Sequence, residues 1–205
     1  MVQTVPFRIG ADASCTDGAC GQVSRIIVNP VTREVTHLAV DPKYRHGQGR
    51  LVPVDLVDTT TGQIRLRCAL AEFQTLQASQ KGGGSGPDLG SGEQVRWVLG
   101  PVHDPGDAGH GGTVGYVPSG EVDIRRELTV CATDGEIGQV QGLLVEPGDH
   151  QVTHVLLQAG HIWGRKELAI PIGAVTKIGT LLIHLSLTKH QVKDLLPVDI
   201  DHPAG

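Results

Sequence analysis

The strongest constraint on this chain is that its sequence repeats itself at a constant spacing of 117 residues. Four landmarks recur at that spacing: Asp17-Gly18 as Asp134-Gly135, Gly21-Gln22-Val23 as Gly138-Gln139-Val140, Pro30 as Pro147, and Val35-Thr36-His37 as Val152-Thr153-His154. After one inserted residue, Pro53 recurs as Pro171. This regularity indicates an internal duplication, and two copies predict two similar domains rather than a solenoid.

Within each copy the local signals are those of short β-strands. Asp-Gly is a tight-turn dipeptide because glycine accepts positive φ, and proline begins the next turn because it cannot continue a ladder. The predicted strands are Gly21–Val28, Glu34–Val40, Arg50–Val54 and Gln63–Ala69 in the first copy, and Gly138–Val145, Gln151–Leu157, Leu168–Ile172 and Leu181–Leu187 in the second. Short helices are predicted at Ala71–Gln77 and at Thr188–Leu195, with Thr188 as N-cap.

Strands this short and this few favour a sheet that closes on itself, because closure fills the interior with side chains and removes exposed edges. The predicted fold class is therefore all-β, with two small barrels that arise from duplication and a short closing helix on each. The predicted domains are a first barrel at 1–78, a Gly-rich linker with partly packed segments at 79–112, and a second barrel at 113–205. We expect Glu121–Arg126 to lead into the second barrel.

Composition and charge exclude several function classes. The net charge of -5 and the pI near 6.0 argue against a generic nucleic-acid binder, which needs a basic face. No signal peptide or apolar run of membrane-spanning length is visible, so we expect a cytoplasmic chain without a membrane span. The four cysteines form no CxxC pair and have no zinc-ligand spacing, so reduced structural thiols are expected; a Cys15–Cys20 disulfide is the alternative.

Enzyme signatures are missing from the sequence. It contains no G-x-S-x-G elbow, no H-E-x-x-H and no P-loop, and its carboxylates are scattered without an obvious pair. A small filled barrel also leaves little room for a substrate pocket. We therefore expect a protein that is not an enzyme and that has no cofactor.

One set of residues in the second copy forms a family-like pattern: Asp134-Gly135, Gly138, Val140, Pro147, Val152-Thr153-His154, Trp163-Gly164-Arg165-Lys166 and Ile170-Pro171-Ile172. With this pattern the second copy resembles the PRC-barrel family, named after the cytoplasmic domain of the photosynthetic reaction-centre H subunit and including the C-terminal domain of ribosome-maturation factors of the RimM type. The first copy keeps the turns but has Tyr44-Arg45-His46-Gly47 where the second has a Trp loop. The resemblance implies a bacterial adaptor or assembly module with no catalytic residues to transfer.

Alternation along the second strand of each hairpin predicts an apolar strip on the outer face. Val35 and His37 would share one side with Ala39, and Val152, His154 and Leu156 would correspond to them in the second copy. An outward apolar strip indicates a covered surface. It could be covered by the linker or terminal helix, or by a pseudo-twofold interface that relates His37 to His154.

Two further clusters lie around the second hairpin. Trp163, Arg165 and Lys166 join an aromatic side chain to two cations in a predicted loop, which is typical of partner-contact anchors; alternatively, Trp163 folds back onto the barrel rim. The histidines His150, His154 and His161 could ligate zinc. Because no cysteine or carboxylate spacing supports such a site, we expect no physiological metal.

The sequence therefore predicts a non-catalytic tandem PRC-barrel protein that binds or scaffolds an unidentified protein partner, with a homo-oligomer as one form of assembly. A ribosome- or RNA-associated maturation-type factor is the first alternative, although the acidic balance argues against nucleic acid as a partner. A metal- or redox-responsive sensor that uses the histidines or the four cysteines is the second alternative.

Overall fold

The computed structural model describes residues 4–42, 49–58, 63–81, 114–115, 117–159, 167–179 and 181–195. These residues form short strands, two short α-helices and two 3-10 turns. The strands are β1 Val5–Arg8, β2 Asp12–Cys15, β3 Gly18–Asn29, β4 Glu34–Asp41, β5 Arg50–Pro53, β6 Val57–Asp58, β7 Ile64–Leu66, β8 Gln80–Lys81, β9 Val114–Gly115, β10 Val122–Ile124, β11 Thr129–Ala132, β12 Gly135–Val145, β13 Val152–Ala159, β14 Glu167–Pro171, β15 Val175–Ile178 and β16 Leu182–Leu185. The helices are α1 Leu70–Thr75 and α2 Lys189–Lys193, and the 3-10 turns are Val54–Leu56 and Ile172–Ala174.

Two seven-stranded sheets contain most of these strands, which confirms the all-β class. The N-terminal sheet has the order β5-β4-β3-β2-β7-β6, and the C-terminal sheet has the order β14-β13-β12-β11-β16-β15. Within the described residues each order is open, so the predicted closed barrels are not confirmed. Pro53 and Pro171 end β5 and β14, and a 3-10 turn follows each of them, because proline supplies no N–H to extend the ladder.

The register of the two sheets repeats as the sequence does. Ile27 pairs with His37 in the N-terminal sheet, and Leu144 pairs with His154 in the C-terminal sheet. The central predicted hairpins are thus confirmed. Each of their strands extends one to three residues beyond at least one predicted end, and β13 begins one residue later than predicted, at Val152. The connections at 43–48 and 160–166 lie outside the described residues.

The Asp-Gly turn has a second role that spacing alone did not predict. Asp17 Oδ1 accepts a hydrogen bond from the backbone N–H of Leu70 at 2.8 Å, and Asp134 Oδ1 accepts one from Lys189 at 2.8 Å. Each aspartate therefore satisfies a free N–H at the start of a short helix. Thr188 caps α2 as predicted, and it does so in a capping box with Gln191.

Each sheet is completed by a strand from the other copy. β1, near the N-terminus, pairs with β12 of the C-terminal sheet, and β10 pairs with β3 of the N-terminal sheet. Glu121–Arg126 precedes β11 of the C-terminal sheet in the chain, as expected, but β10 within it pairs with β3 of the first copy, which the sequence did not predict. The bounds 1–78, 79–112 and 113–205 stay a prediction, but the sheets do not follow them.

The two copies also meet at the tips of their hairpins. Glu34 pairs with Gln151, and the backbone N–H groups of Val35 and Val152 donate to His150 O at 3.0 Å and to Arg33 O at 2.9 Å. Each of these positions in one copy corresponds to one in the other at the spacing of the repeat. The contact is therefore pseudo-twofold, like a symmetric dimer interface within one chain.

Aliphatic side chains from both copies form one continuous core. Phe7 of β1 is 1 % exposed and lies in the same cluster as Ile26 and Leu38 of the N-terminal sheet and Leu143 and Ile183 of the C-terminal sheet. Because a β-sheet must bury its apolar face, neither copy presents this face to solvent. The two copies thus pack as one body around a shared interior.

A two-residue ladder closes the segment between the copies. β8 pairs with β9, so that Lys81 lies opposite Val114. Most of the predicted linker and all of Arg96–Leu99 lie outside the described residues, as do Thr113 and Tyr116 of the second piece expected to pack. Val117 itself packs against the outer face of the N-terminal sheet.

Candidate functional site

The candidate site is the junction between the copies, because the described site residues predicted from the sequence gather around the two paired hairpins. His37, Val35, His154, Val152 and Leu156 all lie on β4 or β13. Trp163, Arg165, Lys166 and His161 lie outside the described residues, so their roles stay predictions.

Val35 and Val152 lie in the shared core and not on the outer face with the histidines. They are 2 % and 3 % exposed and pack with the interior residues of both sheets. In each hairpin the pairing register shifts by one residue between the histidine and the valine. Thr36 and Thr153 are therefore the extra residues of β-bulges. Because a bulge adds one residue, it reverses the facing of everything beyond it, and the strict alternation used in the prediction was wrong at these two positions.

The outer apolar strips are covered. Ile27, Ala39 and Leu51 form a buried cluster on the N-terminal sheet, and Val117 packs on it. On the C-terminal sheet, the corresponding cluster of Leu144, Leu156 and Ala169 is also buried, with Leu156 at 0 % exposed. Val117, which precedes β10, therefore covers part of the first strip, and cover by the linker at 79–112 or by the terminal helix stays a prediction.

His37 is held by a short relay of hydrogen bonds. Thr36 Oγ1 donates to Glu121 Oε2 at 2.7 Å, and His37 Nδ1 lies 3.1 Å from the same hydroxyl. Because the threonine has one proton to donate, Nδ1 of His37 must carry a hydrogen and donate to Thr36. Burial lowers the pKa of His37, although Glu121 and Asp55 oppose this by favouring the charged ring.

His154 has the same local geometry without the carboxylates. Thr153 Oγ1 donates to Leu144 O at 3.1 Å, and His154 Nδ1 lies 3.1 Å from that hydroxyl. Burial lowers its pKa too. At the spacing of the repeat, the residues equivalent to Glu121 and Asp55 are Thr4 and Gly173. Acidic side chains therefore favour the charged ring at His37, one from each copy, and have no equivalents at His154.

Two residues of left-handed backbone reach across the junction. Arg33 and His150 have φ values of 62° and 58° and occupy equivalent turn positions. The Arg33 guanidinium donates to the carbonyl oxygens of Ile172 and Val175 at 3.2 and 3.3 Å, and His150 Nδ1 lies 3.9 Å from Asp55 Oδ1. Each turn thus contacts the 3-10 turn of the other copy.

Acidification should weaken the folded protein through the two half-buried histidines. Their pKa values are lowered in the folded state, so the unfolded chain binds more protons below its own pKa of about 6.5. The stability present above about pH 6.5 should be lost as the pH falls below it. Urea titrations of the unmodified protein at pH 7.5 and 5.5 measure this loss of stability. A double variant that carries His37→Asn and His154→Asn should lose less, whereas a control variant at the exposed His184, His184→Asn, should lose as much as the unmodified protein. An equal pH dependence of stability in these three proteins would contradict this prediction.

A buried charge cluster adjoins the exchanged strand β10, and sequence reasoning missed it. Asp123 Oδ2 lies 2.7 Å from Arg125 Nη2 and 3.6 Å from Arg25 Nη1, and Arg25 Nη2 donates to Ser79 O at 2.6 Å. Asp123 and Arg25 are 5 % and 8 % exposed. The available signal was an arginine within the apolar strand 21–28 and an aspartate between the apolar residues of β10, since buried charges need partners.

Three cysteines meet in the core of the first copy. Cys15, Cys20 and Cys68 are buried, and all four cysteines of the chain are free thiols. Burial raises the pKa of Cys15 to about 12 and that of Cys68 to about 11. Because the thiolate is the reactive form, these thiols are poor nucleophiles. The second copy has Ala132, Ile137 and Ser186 at the corresponding positions.

The part of the chain that the structure describes holds no group of three or more His, Cys, Asp or Glu side chains placed to bind a metal ion. Of the histidines considered as ligands, His150 lies beside Asp55 and His154 beside Thr153. Among the described residues, no helix is long and apolar enough to cross a membrane. The geometry at the junction is suited to holding the copies together.

The comparisons with known proteins give no further assignment. No model of a known protein family matches this chain, and no curated protein matches it either.

Proposed function

We propose that this chain is a non-catalytic protein with two PRC-barrel-type copies that scaffolds another macromolecule in the bacterial cytoplasm. The observation that carries the proposal is the reciprocal exchange of β1 and β10. It joins the two copies into one body with a filled aliphatic core. A rigid body of this kind suits the presentation of surface loops to a partner better than it suits enclosing a substrate.

The described strands of both hairpins run away from the junction. β13 begins at the junction with Val152 and ends at Ala159, and Gln158 pairs with Glu167 across the connection that follows. β4 likewise runs from Glu34 at the junction to Asp41. At about 3.3 Å per residue, each connection begins roughly 23 Å from the junction. In the sequence, Trp163, Arg165 and Lys166 follow one of these strand ends, and we propose them as the partner contact.

The partner-contact role of this loop can be tested by affinity purification from the native host. Tagged full-length protein should recover a specific partner, and Trp163→Ala or the pair Arg165→Ala and Lys166→Ala should reduce recovery at least about tenfold, as expected for interface anchors worth more than 1.4 kcal/mol. Gln158→Ala is the matched control, because this exposed side chain lies at the end of the same strand. Equal recovery by all variants, with a lower melting temperature for Trp163→Ala alone, would instead assign Trp163 to the barrel rim.

The same preparations distinguish the proposed scaffold from a ribosome-associated factor. A ribosomal partner should co-sediment at about 50 mM salt and dissociate steeply as salt rises. The Arg125 guanidinium is engaged by Asp123 in the folded protein, which removes one of the few clustered cations from such a surface. We therefore expect a protein partner whose binding depends weakly on salt.

A further inference from the structure

We infer that the two halves of this chain recognise each other in trans as well as in cis, so that a second copy of the chain is a binding partner through reciprocal exchange of halves. The N-terminal half is defined here as residues 4–81 and the C-terminal half as residues 114–195. In the exchanged dimer, the N-terminal half of each chain packs on the C-terminal half of the other. The inference stands on the geometry of strand exchange and does not depend on the proposed function.

Each half is incomplete alone, because its sheet lacks one strand. The C-terminal sheet takes β1 from the N-terminal half, with Val5 opposite Val145. The N-terminal sheet takes β10 from the C-terminal half, with Val122 opposite Val28. Val5 and Val122 are equivalent positions in the repeat, and so are Val28 and Val145. The two donated strands are therefore equivalent, and the two strands that accept them are equivalent as well. This reciprocity is the geometry of a strand-swapped dimer.

The contacts between the two halves do not require both halves to belong to one chain. Only residues 82–113 connect them, and the connection leaves and re-enters the body at the paired residues Lys81 and Val114. Every described contact between the halves, including the pairing of Glu34 with Gln151, can form equally with the half of a second chain. The monomer and the exchanged dimer therefore contain the same strand pairs and the same core.

With equal contacts, concentration decides between the two forms. A connection of 32 residues, counted from 82 to 113, gives an effective concentration on the order of 1 mM for closure within one chain. Chains that fold at about 10 µM should therefore be nearly all monomer, and the exchanged fraction should rise in proportion to chain concentration as it approaches that value. Folded monomers should exchange slowly, because the halves must first separate and expose the shared core.

Disulfide trapping across the junction distinguishes exchange from ordinary association. The backbone bonds from Val35 to His150 and from Val152 to Arg33 flank Glu34 and Gln151, which makes these two a non-hydrogen-bonded pair. The Cα atoms of such a pair lie about 4.5 Å apart, within the range that a disulfide spans. In an exchanged dimer, a cysteine at Glu34 of one chain therefore meets a cysteine at Gln151 of the other.

The experiment uses three full-length proteins in a Cys131→Ser background: Glu34→Cys, Gln151→Cys, and a chain with both changes. The double variant should form an internal disulfide. An equimolar mixture of the two single variants, unfolded and refolded together, should form a covalent heterodimer whose yield rises about tenfold between 10 µM and 100 µM chain. The matched control is Glu34→Cys refolded with itself, because exchange places its two cysteines in different bodies. Mixing the folded single variants should give little product over hours.

Size-exclusion chromatography of unmodified protein, refolded at the same concentrations, gives a second readout that needs no oxidation. It should show a dimer peak that grows with refolding concentration and decays slowly after dilution. The inference is overturned if both measurements show only monomer up to about 1 mM, or if the control pair cross-links as well as the mixed pair. Partner recovery by the Trp163 loop would be unaffected by either result, so the two proposals fail separately.

Discussion

Replacing Asp123 by alanine should lower the free energy of unfolding by about 3–5 kcal/mol, the usual cost of leaving a buried charge without its partner. Asp123 lies on β10, where its carboxylate faces the guanidinium groups of Arg25 and Arg125. Arg25 is 8 % exposed and burial already lowers its pKa, so without Asp123 only Asp41 and the carbonyl oxygen of Ser79 would oppose the cost of its buried charge. Because β10 comes from the second copy, the loss would also loosen the exchanged strand.

Urea titration of Asp123→Ala measures this effect, and two further variants interpret it. The exposed Glu136→Ala should change stability by less than about 0.5 kcal/mol. Arg25→Met combined with Asp123→Leu removes both charges and keeps side-chain volume, so it should restore most of the lost stability. If the single and double variants were equally unstable, shape at this position and not charge pairing would be the cause, and the electrostatic explanation would be wrong.

The strands and hairpins of each copy could be predicted because their signals are local. Asp-Gly and the prolines set the turns, and the apolar runs between them give the strands observed around β3 and β12. The duplication made each interpretation stronger, since the same pattern had to be correct twice. Helix α2 was equally local, with Thr188 and Gln191 forming its capping box.

The exchange of strands could not be predicted for a physical reason. β1 and β10 occupy equivalent positions before the two copies, and their acceptor strands β12 and β3 are equivalent as well. A duplicated sequence therefore offers each strand two acceptor sites with the same pattern, and nothing local distinguishes pairing within a copy from pairing between copies. The choice depends on the three-dimensional path of the chain, which a repeat spacing does not encode.

The candidate site shows the same division between local and non-local information. His37 and His154 were singled out from the repeat, and both lie beside the junction with a threonine hydroxyl on Nδ1. Bulges at Thr36 and Thr153 moved the neighbouring valines into the core, because one extra residue reverses the alternation that the prediction used. Whether the loop of Trp163, Arg165 and Lys166 contacts a partner stays a prediction, which the recovery experiment decides.

Gly142 lies on β12, the strand that accepts β1, at a position where any side chain would collide with β1. A Cβ atom at this position would lie 2.2 Å from Phe7 O and 2.9 Å from the Cα atom of Arg8, both on β1. Backbone atoms cannot move aside as a flexible side chain can, so β1 would have to leave β12. At the equivalent position of the first copy, Arg25 is accommodated because the β10 ladder ends at Ile124, opposite Ile26.

We therefore expect Gly142→Val to destabilise the protein by about 3–5 kcal/mol, similar to Phe7→Ala, because either change removes the buried aromatic ring of β1 from the core. Gly148→Ala is the matched control, since a Cβ atom there has no heavy atom within 4 Å. Urea titration gives the stability, and amide exchange should show protection lost along Val5–Arg8 more than along Val122–Ile124 in Gly142→Val. A Gly142→Val protein as stable as Gly148→Ala would mean that β1 does not lie on β12. A stable Gly142→Val protein would also contradict the exchange of halves between two chains, because that exchange needs both donated strands, β1 and β10. The substitution at Gly142 therefore tests the strand pairing and the proposed dimer together.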